Sequence, residues 1–180
     1  MPYKNMKLLL FLIVFLFLGN SLGAQRDVKY PIPTGNVNQL FFLQRDPNIN
    51  TLVYELNFKN GNLVANEPIH VFWIRYTEKE QHEELNYIQR NFAYGIKAKQ
   101  TTKDSYELHF VSYRKKLMYL KKLADNKFHL FTDINNKLMI LHKIFVRVNG
   151  GTFWLPNIEY IELMGIDPLS GLEVVERMRI

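Results

Sequence analysis

The stretch FFLQRDPNINTLVYELNF, residues 41–58, carries three structural signals in order and decides how the rest of the chain is interpreted. An apolar run closes at Arg45. Asp46-Pro47-Asn48 then favours a turn, because Pro fixes φ and Asp and Asn bond to nearby backbone. Residues 51–58 alternate almost perfectly, with Leu52, Tyr54, Leu56 and Phe58 in one set of positions and Thr51, Val53, Glu55 and Asn57 in the other. A period of two is typical of a strand with one buried face, so the stretch predicts two strands joined by a turn.

Strand-like segments follow to the C-terminus, separated by turn residues at intervals of about ten to twelve positions. Residues 68–76, PIHVFWIRY, are apolar on both faces, which predicts a strand packed on both sides. KNGN at 59–62 and DPLSG at 167–171 predict turns. Residues 138–148 predict a long strand, and the NGG sequence at 149–151 predicts the turn after it. One face of the long strand is expected to hold Ile140, His142, Ile144, Val146 and Val148.

Residues 77–91 break this pattern, because they are rich in Glu, Gln and Lys. Leu85, Ile88 and Phe92 recur at a helical spacing, which predicts one helix of two to three turns over residues 80–90. Thr77 and Glu80 are spaced as in a capping box at its start. The whole pattern predicts a mainly β fold: a single antiparallel β-barrel or β-sandwich domain of about ten strands with one short helix.

The N-terminus predicts export, with a cleaved signal peptide over residues 1–24 and a single β-rich domain over residues 25–180. Lys4 and Lys7 precede an apolar run, and small residues follow, so cleavage is expected after Gly23 or Ala24. The run is shorter than the roughly 20 residues of a transmembrane helix, so no membrane span is expected after cleavage. An uncleaved N-terminal anchor is the alternative. The predicted location is periplasmic or extracellular, with outer-membrane association as a variant.

The chain contains no cysteine, so an exported domain must be stabilised by packing alone. Its formal net charge of +6 falls to +4 when Lys4 and Lys7 leave with the signal peptide. This modest charge predicts no nucleic-acid partner. A local basic run is of the kind that attracts nucleic acid, an anionic lipid surface or an acidic glycan, and the alternative is a solvated strand edge that lysines protect from aggregation. The run comprises Arg114, Lys115, Lys116, Lys121, Lys122 and Lys127.

The sequence carries no motif of a known catalytic or cofactor site. No serine lies in G-x-S-x-G or S-x-x-K, and no glycine-rich phosphate loop occurs. The five histidines lack metal-ligand spacing, although His109 and His129 lie on neighbouring predicted strands. Glu55 and Glu107 are candidates for a carboxylate pair across strands, of the kind that glycoside hydrolysis needs. We therefore expect no metal and no cofactor, and we assign no catalytic residue.

Five residues are candidates for ligand binding. Trp73 and Arg75 share a strand face and together suit an anionic or sugar ligand by stacking and charge-assisted bonds. Arg45 and Arg90 end two similar phrases, FFLQR and NYIQR, and Tyr94 follows the second. Local structure alone also explains the arginine at the end of each phrase. Arg45 closes a predicted strand, and Arg90 suits the carbonyl end of the predicted helix.

Five segments together resemble an uncharacterised exported bacterial family, domain of unknown function 4833. These segments are FFLQR, NTLVYELN, PIHVFWIRY, LNYIQRNFAYGI and IFVRVNGGTFWLPNIEYIELMGIDPLSG. The resemblance covers about residues 38–180. It implies an exported protein of a kind common in Bacteroidetes-type bacteria, and it implies no activity, cofactor or catalytic residue.

The sequence thus favours an exported, non-enzymatic β-rich domain that binds a glycan, a lipid or an envelope protein. The alternative is an envelope hydrolase that uses carboxylate and histidine chemistry on the polar face of the sheet. A structural partner in an envelope complex is a third hypothesis, which predicts a large exposed apolar patch and no pocket.

Overall fold

The structure is a computed structural model that describes residues 30–34, 36–152 and 155–179. The predicted signal peptide at residues 1–24 lies outside the described residues. Within the described ranges, none of the helices has the length and apolar character that crossing a membrane requires.

The described chain consists mainly of strands, with one 3₁₀ turn at Tyr76–Glu78 and one π-helical turn at Gln89–Ala93. The first seven strands are β1 Gln39–Arg45, β2 Asn48–Leu56, β3 Phe58–Lys59, β4 Asn62–Leu63, β5 Ile69–Arg75, β6 Gln81–Glu84 and β7 Ile96–Thr102. The remaining six are β8 Ser105–Phe110, β9 Met118–Lys122, β10 Phe128–Ile134, β11 Lys137–Gly151, β12 Pro156–Ile166 and β13 Glu173–Met178.

Eleven strands form one mixed sheet, and β3 and β4 form a separate hairpin. The long strand β11 organises the sheet, because β12 pairs along one of its edges while β10 and then β1 share the other edge. Ile140 pairs with both β10 and β12, and Ile144 pairs with both β1 and β12. Two series of paired strands, which we call the two wings, therefore extend from the same edge of β11. One runs β1-β2-β5-β6 and the other runs β10-β9-β8-β7.

The sheet curls so that its two wings meet around one core. Tyr54 of β2 and Phe110 of β8 belong to different wings, yet their ring centroids are 5.8 Å apart. Phe41 stacks on Tyr54 at 4.2 Å and meets Phe110 edge-on. The end strands β6 and β7 do not pair with each other, so the curled sheet is an open half-barrel.

Strand β5 is buried on both faces, as its apolar run predicts. Val71 and Trp73 join the main core, whereas Phe72 and Ile74 pack with Val53 in a smaller cluster on the outer face. We call the face toward the main core the inner face, and the opposite face the outer face.

The predicted fold class is confirmed as mainly β, and the finer prediction needs correction. The sheet is not wholly antiparallel, because β1 and β11 run parallel over residues 42–45 and 143–146. It is neither a closed barrel nor a sandwich of two sheets, because both wings hydrogen-bond to β11 and the end strands β6 and β7 do not pair with each other.

The predicted helix over residues 80–90 is right only at its end, because the helical turn of the structure spans residues 87–93. Residues 81–84 instead form edge strand β6, which pairs with β5 from Arg75↔Gln81 to Phe72↔Glu84. Glu80 has a positive φ in the turn before β6, and the Thr77 side chain bonds to Asn50, so no capping box forms. Pairing with an available strand edge overrides the helix propensity of the Glu- and Gln-rich segment.

The predictions for the long strand are right about its existence and wrong about its face and its end. The register shifts between Leu141 and Lys143, so that Leu141 and Ile144 both join the core. His142 therefore does not share the predicted face with Ile144. The NGG sequence at 149–151 belongs to β11 itself, with positive φ at both glycines, and β12 begins at Pro156. The turns at 46–47, 60–61 and 167–170 are confirmed.

Candidate functional site

The inner face encloses a cavity of about 510 Å³, which we call the inner cavity. Its walls come from β1, β8 to β13, the loop between β8 and β9, and residues 88–94. The lining is mostly aliphatic and aromatic, and at its depth lie the buried residues Met118, Leu141, Ile144 and Leu163. Ile88, Phe92 and Tyr113 also line it and are exposed, so the cavity reaches the surface. A volume in this range suits a small-molecule ligand.

Residues 88–94, which include the π-helical turn, form one wall of the inner cavity and are fixed by backbone contacts. The buried Tyr54 hydroxyl donates to the Tyr94 carbonyl at 3.0 Å, and the Ser112 hydroxyl donates to the Ala93 carbonyl at 2.6 Å. Gly95 closes the turn, where a Cβ atom would lie 1.9 Å from the Arg90 carbonyl oxygen. Only glycine allows this close approach, so the wall depends on it.

Arg45 is the notable charge of the inner cavity. Four arginines of the described chain bind carboxylates, namely Arg75, Arg90, Arg147 and Arg177. Arg45 lines the cavity half-buried, and no carboxylate of the described residues pairs with it. The adjacent Asp46 instead binds Arg147 and the Tyr30 hydroxyl. A partly desolvated guanidinium without an anion is an incomplete arrangement that an anionic ligand completes.

Lys116 is the second cation that lines the inner cavity. Its Nζ lies 3.6 Å from Glu176 Oε2 on β13, so the ion pair links the β8–β9 loop to the last strand. Because Glu176 already neutralises much of this charge, Arg45 is the better anchor for an anion.

A second, smaller concavity of about 210 Å³ lies on the outer face between β2, β5 and β6. His70 sits there between two carboxylates, with Nδ1 2.8 Å from Glu55 and Nε2 2.8 Å from Glu84. Burial lowers the pKa of His70, but the hydrogen bonds to Glu55 and Glu84 outweigh it and raise the pKa above its ordinary value. The histidine is thus favoured as an imidazolium that donates to both carboxylates and ties three strands together.

Trp73 and Arg75 share a face as the sequence predicts, but neither lines the inner cavity or the outer concavity. Trp73 is buried in the core, where its ring meets Tyr94 edge-on at 5.3 Å. Arg75 lies 5.5 Å from the Trp73 ring centroid and bonds to Glu83 at 2.7 Å. The hydrogen bond to Glu83 raises the pKa of Arg75.

Arg45 and Tyr94 both line the inner cavity, whereas Arg90 points away from it to Glu67 and Glu84. The two Gln-Arg phrases therefore do not meet in one site. Gln44 of the first phrase is buried beside Thr51, 3.1 Å away.

The other polar candidates do not converge. His109 is on β8 and His129 is on β10, with β9 between them, so they are not on neighbouring strands. Glu55 lies in the β1-β2-β5-β6 wing with His70, and Glu107 lies in the other wing. Within the described ranges, no group of three or more His, Cys, Asp or Glu side chains is placed to hold a metal ion.

Sequence reasoning missed most of the cavity lining, because its residues look like ordinary core. Leu43, Val146, Ile158, Ile161 and Met178 are apolar strand residues like those of any core, and a period of two does not place both Ile158 and Ile161 on the inner face. Alternation does not show where opposite walls stand apart and leave a cavity.

A family model described as Domain of unknown function (DUF4833) matches residues 41–177, and the chain belongs to this family. The match confirms the resemblance found in the sequence segments. No curated protein and no solved structure matches the chain. The family description names no activity, so the function must be inferred from the inner cavity itself.

Proposed function

We propose that this protein is an exported binding protein for a single-chain anionic amphiphile, such as a fatty acid or a lysophospholipid. The observation that carries the proposal is the inner cavity, which is large, apolar and reaches the surface. Its wall holds Arg45, with which no carboxylate of the described residues pairs. The predicted signal peptide supports export. An exported protein meets the hydrophobic molecules of the cell envelope, which include the proposed ligands.

The apolar lining suits an alkyl chain better than a sugar. A glycan needs several convergent hydrogen-bonding side chains, whereas most of this lining is aliphatic or aromatic. Burying a twelve-carbon chain contributes about 9 kcal/mol at about 0.8 kcal/mol per methylene. Association costs offset at least about 4 kcal/mol of this.

The charge of Arg45 selects an anionic head group. One charge-assisted hydrogen bond adds about 2 kcal/mol, which brings the net binding free energy to about 7 kcal/mol. This corresponds to a Kd on the order of ten micromolar for dodecanoate. Such an affinity suits a carrier that both takes up and releases its ligand.

The test is saturable binding of dodecanoate below its micelle-forming concentration, followed by NMR of the protein. The wild-type protein should bind one equivalent, with shifts at Leu141, Ile144 and Phe110. Ile161→Trp fills the cavity from its partly exposed wall and should abolish binding while the protein stays folded by circular dichroism. If the folded variant bound dodecanoate as well as the wild type does, the inner cavity would not be the binding site.

A hydrolase is the second candidate, favoured by the Glu55–His70–Glu84 arrangement in the outer concavity. A glycosidase needs free space between its carboxylates for water or substrate. Here the His70 ring fills that space. Both ring nitrogens are already bonded to carboxylates, so neither nitrogen is free to accept a proton from a substrate or water. If the wild-type protein hydrolysed aryl glycosides or esters and Glu84→Gln abolished this activity, a hydrolase would become the preferred function.

A further inference from the structure

We propose that the mouth of the inner cavity docks onto the surface of an anionic phospholipid bilayer, from which the ligand enters. This inference rests on the proposed function, since a carrier for a lipid-like ligand must meet the membrane that holds it. It assigns a partner and an orientation, which the cavity alone does not.

Exposed apolar side chains gather at the mouth. Ile88 and Phe92, with Phe92 66% exposed, lie on the wall formed by residues 88–94, and Tyr113 lies on the β8–β9 loop. Leu155, 79% exposed, directly precedes the cavity-lining Pro156. We call these four residues the mouth rim. Exposed apolar groups that cluster, rather than scatter singly, mark an interaction surface.

Two cations stand beside the mouth rim. Arg114 and Lys115 are exposed and lie between Tyr113 and Lys116, which both line the cavity. The basic run of the sequence is thereby divided, because Lys121 and Lys122 lie at the opposite end of β9. Aromatic and aliphatic side chains flanked by Arg and Lys suit the interface of an anionic bilayer, where each cation strengthens binding.

An exposed leucine lies beside each end of strand β12, so the two positions can be compared directly. Leu155 precedes it at the mouth, and the 96%-exposed Leu169 follows it in the turn at 167–170. The eleven residues of β12 separate the two leucines by about 35 Å at about 3.3 Å per residue. Only Leu155 adjoins the inner cavity, so the pair forms a matched test of orientation.

The experiment is co-sedimentation with vesicles of phosphatidylcholine containing phosphatidylglycerol, and with vesicles of phosphatidylcholine alone. The wild-type protein should bind the anionic vesicles and lose binding at high salt. Leu155→Ser should weaken vesicle binding by about fivefold or more, since it removes a side chain that the interface would bury. Leu169→Ser should leave it unchanged.

A charge pair completes the design. Arg114→Glu with Lys115→Glu should reduce binding to anionic vesicles at least about tenfold, whereas Lys121→Glu with Lys122→Glu should have a clearly smaller effect. Equal losses in both pairs, equal losses in both leucine variants, or no vesicle binding by the wild type would overturn the docking proposal. Dodecanoate binding in solution is measured in parallel for every variant. Retained dodecanoate binding without vesicle binding rejects docking alone, and absent dodecanoate binding rejects the proposed function.

Discussion

Replacing Arg45 by Met removes the guanidinium of the inner cavity and keeps most of the side-chain stem. Arg45 lines the cavity without a carboxylate partner among the described residues, so the substitution should not destabilise the fold. We expect the free energy of unfolding to stay within about 0.5 kcal/mol of wild type. The same change at Arg147 should destabilise the protein, because Asp46 binds that guanidinium.

The effect of Arg45→Met on binding should depend on the head group. A hydrogen bond to a charged group contributes about 1.5–3 kcal/mol, and partial exposure places Arg45 in the lower half of that range. At 1.4 kcal/mol per tenfold change, dodecanoate should bind about ten- to thirtyfold more weakly. Dodecanol, which carries no charge, should bind equally well to both proteins.

Titration calorimetry with both ligands measures this difference, and Arg90→Met serves as the matched control. Arg90 ends the second Gln-Arg phrase but binds Glu67 and Glu84 outside the cavity, so its loss should leave both affinities unchanged. A loss below about threefold for dodecanoate, or an equal loss for dodecanol, would refute the assignment of Arg45 as the head-group anchor.

Three further predictions concern stability. His70 has a raised pKa in the folded protein, so its contribution is complete below about pH 6.5 and is lost as the pH rises through the raised value. The stability difference between wild type and His70→Gln in urea should therefore shrink from pH 6 to pH 9, and a difference that grows would contradict the imidazolium assignment. Gly95→Ala would place Cβ against the Arg90 carbonyl and should cost at least about 2 kcal/mol and weaken dodecanoate binding; an unchanged melting temperature would argue against the close turn. Leu141→Ala removes a side chain buried at the depth of the cavity and should cost about 2–3 kcal/mol, with a smaller loss showing that Leu141 packs loosely.

The sequence predicts this fold well where the pattern is local. Alternation in residues 51–58 predicts the existence of β2 but not its burial, because β2 ends at Leu56 and residues 50–54 are buried on both faces. The apolar run at 68–76 predicts a strand buried on both faces, as β5 is. Pro47 and Gly61 lie in turns that their chemistry favours. These features depend on neighbours in the chain, so a single sequence is enough.

Features that depend on distant pairing could not be predicted in this way. Residues 81–84 have helix propensity but meet the free edge of β5, and cross-strand pairs such as Arg75–Glu83 then stabilise the strand. The parallel pairing of β1 with β11 joins segments about a hundred residues apart, and nothing local in either strand specifies it. The register shift after Leu141 is likewise set by the partner strand β12.

The residues of the candidate site also differ in whether the sequence alone could identify them. The repeated Gln-Arg phrases point to Arg45 and Tyr94, which do line the inner cavity, although the two phrases do not meet in a common site. Trp73 looks like a binding residue because it is a large aromatic beside a cation, yet packing in the core accounts for it. A cavity arises from the curvature of the whole sheet, which leaves no mark on any one segment.

Calorimetry with octanoate, decanoate and dodecanoate shows whether the inner cavity holds an alkyl chain. Each added pair of methylenes should contribute about 1.6 kcal/mol, so Kd should fall about fifteenfold per step until the cavity is filled. Binding should also show a negative heat-capacity change, since apolar surface is buried. We expect one-to-one binding with this dependence on chain length, and affinity that is absent or independent of chain length would show that the cavity does not hold an alkyl chain.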